Sequence, residues 1–162
     1  MPSLGGPALP SLSQIVGWDT AHLSQASADW RSAAQRWEDA FDGMHRGTLA
    51  PGGTVWEGDT ADAAQERSFV DLVVVRGVAE SLREAAAVAR RGADQLDYLK
   101  RQTIESINEA YESGFSVAED LSVIDTTYDG LRIAMVRHHA ATIAAKATAL
   151  AAADQDLSLI HI

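Results

Sequence analysis

A seven-residue spacing of large apolar side chains constrains the fold more than any other feature of the sequence. The row consists of Leu23, Trp30, Trp37 and Met44. Because an α-helix completes a turn every ~3.6 residues, the row forms one apolar stripe along one helix face, with Phe41 beside it. The pattern predicts a long helix that ends near Arg46, with Gly47 as its C-terminal cap.

A second helical stripe begins after a turn-rich connector. The connector, 48–58, contains the turn sequence Pro51-Gly52-Gly53, and Asp59 or Thr60 can cap the helix that follows. The second stripe comprises Leu72, Val75, Leu82 and Leu96. We expect the two stripes to form the helix-packing seam and the second helix to stop at Gly114.

The use of proline and alanine favours an all-α fold. The 4 prolines all lie at or before Pro51, so the rest of the chain lacks the strongest helix breaker. Apolar residues make up 46% of the chain but aromatic residues only 6%, which favours close contact between helices. Two helices cannot enclose the tryptophan stripe, so we expect an antiparallel helical hairpin closed by a third helix or by a partner, as an elongated bundle.

The chain is predicted to consist of five segments. They are a flexible N-terminus at 1–10, a helical hairpin at 11–114, a connector at 115–125, a third helix at 126–156 and a tail at 157–162. Ser11 and Gln14 have the spacing of a capping box, which marks a helix start. The apolar residues of the second connector indicate that it lies against the bundle, and Asp125 or Thr126 can cap the third helix.

The tail LSLIHI has an unusual reading at the level of codons. It can be encoded by CTG TCT CTT ATA CAC ATC, which resembles the end of a transposase adapter used to prepare sequencing libraries. Residues 157–162 are therefore interpreted as read-through, and the natural protein is expected to continue beyond Asp156 into a C-terminal region. A native stop codon directly after Ile162 in resequenced intact DNA would contradict this interpretation.

Net charge and apolar runs exclude several classes of function. The formal net charge of -10 disfavours binding to nucleic acid and to anionic membrane surfaces. No run approaches the ~18 apolar residues of a membrane span, and the N-terminus MPSLGGPALP does not have the form of a secretory signal peptide. The absence of cysteine removes disulfides, thiolate metal sites and cysteine nucleophiles.

The polar residues do not form a recognisable catalytic, metal or cofactor site. His138 and His139 are adjacent, so on a helix they point about 100° apart and cannot readily share a metal. The acidic cluster Glu38, Asp39 and Asp42 fits either an ordinary solvated face or a partner's basic surface. We therefore expect that these residues do not form an enzyme, that they bind no cofactor, and that a catalytic domain would lie beyond them.

A tryptophan and a glycine interrupt the polar connector between the two stripes. Trp56 precedes Gly58 by two residues, and the second helix follows with Ala61, Ala64, Leu72 and Val75 on its apolar face. This order of stripe, Trp-x-Gly turn and stripe resembles the WXG100 superfamily, the helical-hairpin proteins exported by type VII secretion systems of actinobacteria and firmicutes. The resemblance covers roughly residues 11–114, and the wider sequence looks like the N-terminal region of longer mycobacterial proteins.

The resemblance implies a targeting and interaction domain. Its expected partners are a second copy or a related helical-hairpin protein, together with the type VII machinery, and its expected location is secreted or envelope-associated. Two alternatives remain: a cytoplasmic helical adaptor, or the address domain of a toxin whose catalytic part lies downstream. The sequence leaves open which oligomer, partner and secretion system are involved.

The family's export element implies a second candidate site. It is typically Tyr-x-x-x-Asp/Glu just after the second helix, whereas this chain has Phe115 and Glu119 at that position. Either Phe115 and Glu119 form a degenerate export element, or a dimer partner supplies the tyrosine, or the domain is not exported by the type VII route.

Trp56 has a structural interpretation beside the functional one. If it covers the end of the hairpin it buries on the order of 150–250 Å². Replacing a buried Trp56 with alanine is then expected to cost about 3–5 kcal/mol, and an unchanged melting temperature would indicate an exposed, partner-facing side chain.

Overall fold

A computed structural model describes residues 8–127 and 130–159, and these residues are mostly α-helical, with a small antiparallel sheet. In chain order the helices and strands are α1 (Leu12–Val16), α2 (Ala21–Leu49), α3 (Asp59–Glu112), β1 (Phe115–Val117), β2 (Val123–Asp125) and α4 (Ile133–Leu159). Short 3-10 segments occupy Pro51–Gly53 and Gly130–Arg132. The all-α prediction is confirmed at this coarse level. Predictions for residues 1–7, Tyr128 and 160–162 lie outside the described residues.

The predicted helix start at Ser11 is confirmed in atomic detail. The Ser11 Oγ accepts a hydrogen bond from the Gln14 backbone N–H at 3.1 Å, and the Gln14 Oε1 accepts one from the Ser11 N–H at 2.8 Å. This capping box starts α1, which ends at the C-cap residue Gly17. The chain then turns before α2, whose first N–H, at Ala21, donates to the Asp19 carboxylate.

The predicted end of α2 near Arg46 is wrong by about one turn. The helix continues to Leu49 with Gly47 inside it, so Gly47 is not the cap. Pro51 provides the physical reason, because the residue before a proline is pushed out of the helical region. The end of α3 at Glu112 agrees with the prediction, and Gly114 follows at φ 87°.

Residues His22–Arg90 form one of two compact units. Their buried residues include Ser27 and Ala34 on α2 and Leu72, Ala79 and Ala86 on α3. The Ser27 Oγ donates to the Ala86 carbonyl at 2.8 Å, and the His45 Nδ1 lies 2.8 Å from the Ser68 Oγ. Residues later in α2 therefore contact residues earlier in α3, so the two contacts run in opposite chain order.

The predicted seam on α2 is only partly buried. Leu23, Trp30 and Phe41 are half-buried, but Trp37 and Met44 remain 47% and 61% exposed. A row spaced by seven drifts about 20° per heptad around a straight α-helix, so its later members turn away from the helix beside them. The small row of Ser27 and Ala34 faces α3 instead.

The predicted seam on α3 divides in a similar way. Leu72 and Leu96 are buried, whereas Val75 and Leu82 are half-buried. Ala79 and Ala86, which lie beside this stripe on the helix, are fully buried. Small side chains thus occupy the tightest positions, which agrees with the alanine-rich composition.

The second unit comprises Met1–Ala21 and Arg91–Ile162. Its buried residues include Leu96 and Ile107 on α3, and Ile143 and Leu150 on α4. The side chain of Leu157 packs so closely on Gly92 that a Cβ there would lie 2.5 Å from the Leu157 Cδ2. A larger residue at position 92 therefore requires Leu157 to move.

The connector 115–125 forms a two-stranded sheet that the sequence did not predict. Phe115 pairs with Asp125 and Val117 with Val123 in antiparallel register. Because Asp125 ends β2, it does not cap the third helix, and α4 begins later than predicted, at Ile133. Among the described residues, none of the helices combines the length and apolar character that crossing a membrane requires.

Candidate functional site

The connector that contains Trp56 and Gly58 is held by backbone and amide hydrogen bonds. The Trp56 N–H donates to the Leu49 carbonyl at 3.1 Å, which ties the turn to the end of α2. The Gln65 Nε2 lies 3.1 Å from the Trp56 carbonyl and also 3.1 Å from the Thr48 carbonyl. The side-chain amide of Gln65, on α3, therefore donates to a carbonyl of the connector and to a carbonyl near the end of α2.

Trp56 lies at the surface of the turn and is not a core residue. Its side chain is 36% exposed, and the neighbouring Val55 is more exposed still. Together with Pro51 and Thr54, these two residues line an open groove of about 410 Å³. The expectation that Trp56 plugs the end of the helices is thus met only in part.

Gly58 is required for its backbone conformation. Its φ is +110°, a region that favours glycine, and a Cβ built there would meet nothing within 4 Å. Gly58 therefore provides an unusual backbone angle and not a close approach to a neighbouring residue. The Gly58 carbonyl also accepts a hydrogen bond from the Asp62 N–H at 2.9 Å in the first turn of α3.

Phe115 is enclosed by charged and aromatic groups. Its side chain is only 4% exposed, and the Arg132 guanidinium lies over the ring with Cζ 4.2 Å from the centroid. The His139 ring meets it edge-on, with centroids 5.4 Å apart. Arg132 also donates to the Ser113 carbonyl, so the end of α3, β1 and the segment before α4 meet at this residue.

Asp125 completes this cluster from β2. Its Oδ1 accepts hydrogen bonds from the Thr127 hydroxyl at 2.6 Å and the Thr127 N–H at 3.0 Å, and it lies 3.9 Å from the Arg132 Nη1. The Thr127 hydrogen bonds, with the Arg132 charge, hold the pKa of Asp125 below its ordinary value of 3.8. The Asp125 Oδ2 is buried without a hydrogen-bond partner.

Glu119 has a different set of contacts from Phe115. Its carboxylate accepts hydrogen bonds from the Ser13 hydroxyl at 2.6 Å and the Ser13 N–H at 3.2 Å. Its backbone carbonyl accepts one from the Leu12 N–H at 2.9 Å. Glu119 therefore satisfies free N–H groups in the first turn of α1, while its side chain remains exposed.

The acidic cluster on α2 is largely neutralised within the chain. The Glu38 carboxylate accepts two hydrogen bonds from the Arg83 guanidinium, at 2.8 and 2.7 Å, and these bonds lower the pKa of Glu38. Asp42 pairs with Arg46 and lies 3.8 Å from Arg76. Among the two interpretations that the sequence left open, these intramolecular pairs favour a solvated face.

Three residues at these sites had no sequence signal that singled them out. Gln65, Arg132 and Ser13 each contact a residue distant in sequence, and each is a common polar type on a helix or near its start. Over 8–127 and 130–159, no group of three or more His, Asp or Glu side chains is placed to hold a metal ion.

Comparisons with known proteins identify relatives but no described activity. No family model matches the chain, and no solved structure matches it significantly. Two proteins of Mycobacterium tuberculosis and one of Mycobacterium bovis, each named only as an uncharacterized protein, are 36% identical to it over 156 residues. The match covers 93% of this chain and 47% of each relative, so the chain spans about half the length of the curated relatives it matches.

Proposed function

We propose that this chain is a non-catalytic targeting and interaction domain of a type VII secretion substrate. One observation carries the proposal: a turn containing Trp56 and a left-handed Gly58 joins two long helices whose contacts run in opposite chain order. This is the arrangement that a WXG100 hairpin requires. The expected partners are a second copy or a related helical-hairpin protein, and the secretion machinery.

Contacts along α2 and α3 support an antiparallel hairpin in residues 22–90. Ser27 contacts Ala86 far from the turn, Glu38 contacts Arg83 in the middle, and Thr48 contacts Gln65 close to the turn. Because the turn fixes which residues of α2 lie against which residues of α3, the outer faces of the two helices that a partner meets are also fixed. Trp56 supports the arrangement through its backbone more than through burial of its indole.

Phe115 and Glu119 are the proposed export element. They follow α3 directly, at the place where the family carries its tyrosine and acidic residue. Glu119 is exposed, whereas Phe115 lies under Arg132. We therefore propose that the machinery contacts Glu119 in the turn between β1 and β2, and that it binds Phe115 only after the ring is released from Arg132.

Variants of this element test the proposal with a matched control. Glu119→Gln should lower export several-fold in a host with a type VII system, while Phe115→Tyr should maintain or raise it. Ser13→Ala removes the hydroxyl that binds Glu119 but leaves the carboxylate available, so it should be exported normally. Equal losses in Glu119→Gln and Ser13→Ala would instead show that the defect comes from undocking α1.

The alternative of an address domain in a longer toxin has one supporting observation. The curated relatives are about twice as long as the region they share with this chain. Expression of the unmatched region of a relative in a bacterial host should then arrest growth. Normal growth with detectable protein would favour the adaptor alternative or a simple targeting role.

A further inference from the structure

We propose that Arg132 and His139 form a lid that makes access to Phe115 depend on the position of α4. Phe115 follows α3 directly, whereas Arg132 belongs to the 3-10 segment before α4 and His139 to α4 itself. The role of this lid rests on the proposed export function of Phe115 and adds its regulation. The residue that would be recognised and the residues that cover it thus belong to different elements.

The Arg132 guanidinium covers the junction between α3 and β1. It donates a hydrogen bond to the Ser113 carbonyl, and its Cζ lies 4.2 Å from the centroid of the Phe115 ring. Between these two residues, a Cβ built at Gly114 would lie 3.6 Å from the Arg132 Nη1. One side chain therefore lies against three consecutive residues, and it closes one side of the Phe115 ring.

His139 covers the Phe115 ring from a second direction. The two rings meet edge-on, with centroids 5.4 Å apart and an interplanar angle of 61°. His139 is half-buried and the Arg132 side chain is 24% exposed, whereas Phe115 is only 4% exposed. The two lid residues therefore form an outer layer over an inner ring, so their displacement exposes the ring.

Asp125 holds the lid in its closed position. It pairs with Phe115 across the two strands, and its Oδ1 lies 3.9 Å from the Arg132 Nη1. The Thr127 hydroxyl and N–H both donate to the same Oδ1, which fixes the carboxylate in place. The negative charge of Asp125 therefore attracts the guanidinium toward the strand pair that carries the ring.

The interactions that close the lid are individually weak. A cation–π contact and a partly exposed ion pair each contribute little compared with the packing of a long helix. Local opening of such a segment therefore costs less free energy than unfolding of the helices. A partner that binds only the open state shifts the equilibrium toward it, because its binding energy is available in that state alone.

Fluorine NMR measures whether the lid covers the ring. The full chain is labelled with 4-fluorophenylalanine at its 3 phenylalanines, and the Phe115 signal is assigned by its loss in Phe115→Tyr. Phe69, which is 50% exposed, gives the reference for an accessible ring. A neutral gadolinium chelate should broaden the Phe115 signal several-fold more in Arg132→Gln than in wild type. A Phe115 signal that stays at the wild-type width in folded Arg132→Gln overturns the proposal.

Two further variants separate the lid from general effects. Arg137→Gln removes the same charge at an exposed position of α4, so the Phe115 signal should keep its wild-type width. Equal broadening in Arg132→Gln and Arg137→Gln would assign the effect to net charge and overturn the lid. His139→Ala introduces a strong helix former and removes the second cover, so it should also broaden the signal. If Arg132→Gln does not fold, an unchanged signal in His139→Ala overturns the proposal.

Export of the same variants tests the regulatory role. In a type VII-competent host, Arg132→Gln should be exported several-fold more than wild type at equal cellular amounts, and Arg137→Gln should match wild type. An accessible ring with unchanged export contradicts the export role of Phe115. A ring that stays covered in the folded lid variants contradicts the lid, whatever the level of export.

Discussion

At the residue scale, two glycines with different backbone angles should respond oppositely to the same change. Gly58→Ala forces a Cβ into the region near φ +110° and should destabilise the chain by about 1–3 kcal/mol. Gly43→Ala places a methyl in open space within α2 and should stabilise it by about 0.5–1 kcal/mol. Thermal or urea unfolding measures both. Equal changes in the free energy of unfolding for the two variants would show that the turn does not depend on the backbone angle of Gly58.

Trp56 gives a second prediction at this scale. Its partial exposure lowers the expected cost of Trp56→Ala from the ~3–5 kcal/mol of a buried tryptophan to about 1–2 kcal/mol. The Trp56 N–H bond to Leu49 remains in the variant, so the turn should persist. Chemical denaturation measures the difference, and a loss above about 3 kcal/mol would contradict the exposed position of the indole.

Local residue patterns were predicted well where they depend on near neighbours. The Ser11–Gln14 capping box follows from a spacing of three residues, and its two hydrogen bonds form as expected. The spacing of seven places Trp37 and Met44 on the predicted seam, but it does not show which part of the drifting stripe contacts α3. Their exposure depends on where α3 packs, which no local pattern specifies.

At the element scale, the cluster of β1, β2 and Arg132 should make stability depend on acidity. The Asp125 pKa is lower when folded than unfolded, so its contribution is present above pH 3.8 and is lost as pH falls through the lowered folded value. Asp125→Asn should therefore lower the melting temperature near neutral pH, and the difference from wild type should shrink in strong acid.

Melting temperatures from pH 7 to pH 2.5 measure this dependence. Asp156→Asn, at an exposed position of α4, controls for the general loss of a negative charge. A difference between wild type and Asp125→Asn that stays constant over the whole range would contradict a depressed Asp125 pKa.

The strand pair could not be predicted from the sequence. Each strand has 3 residues, too few for an alternating pattern to stand out from the surrounding connector. Arg132, which packs on Phe115 of β1 and lies near Asp125 of β2, comes after both strands in the chain, and no local pattern links it to them. The long helices α2 and α3, by contrast, carry many repeats of one pattern, which is why their existence was predicted despite an error at the end of α2.

At the scale of the whole molecule, we propose that the long helices α2 and α3 carry the pairing surface and that the export element follows α3. The predominantly helical class followed from composition and periodicity, because both average over many residues. Glu119 binding to Ser13 and Phe115 lying under Arg132 depend on long-range packing, so their partners became known only from the structure. Both candidate residues are thus engaged in the fold as well as proposed for export.

The secreted fraction of the tagged chain tests the central claim most directly. It should be measured in culture filtrates of a type VII-competent mycobacterial host and an isogenic strain lacking the secretion ATPase, with a cytoplasmic marker to correct for lysis. We expect at least a tenfold higher secreted fraction in the competent strain at equal cellular amounts. An equal secreted fraction in both strains would contradict the assignment to type VII secretion.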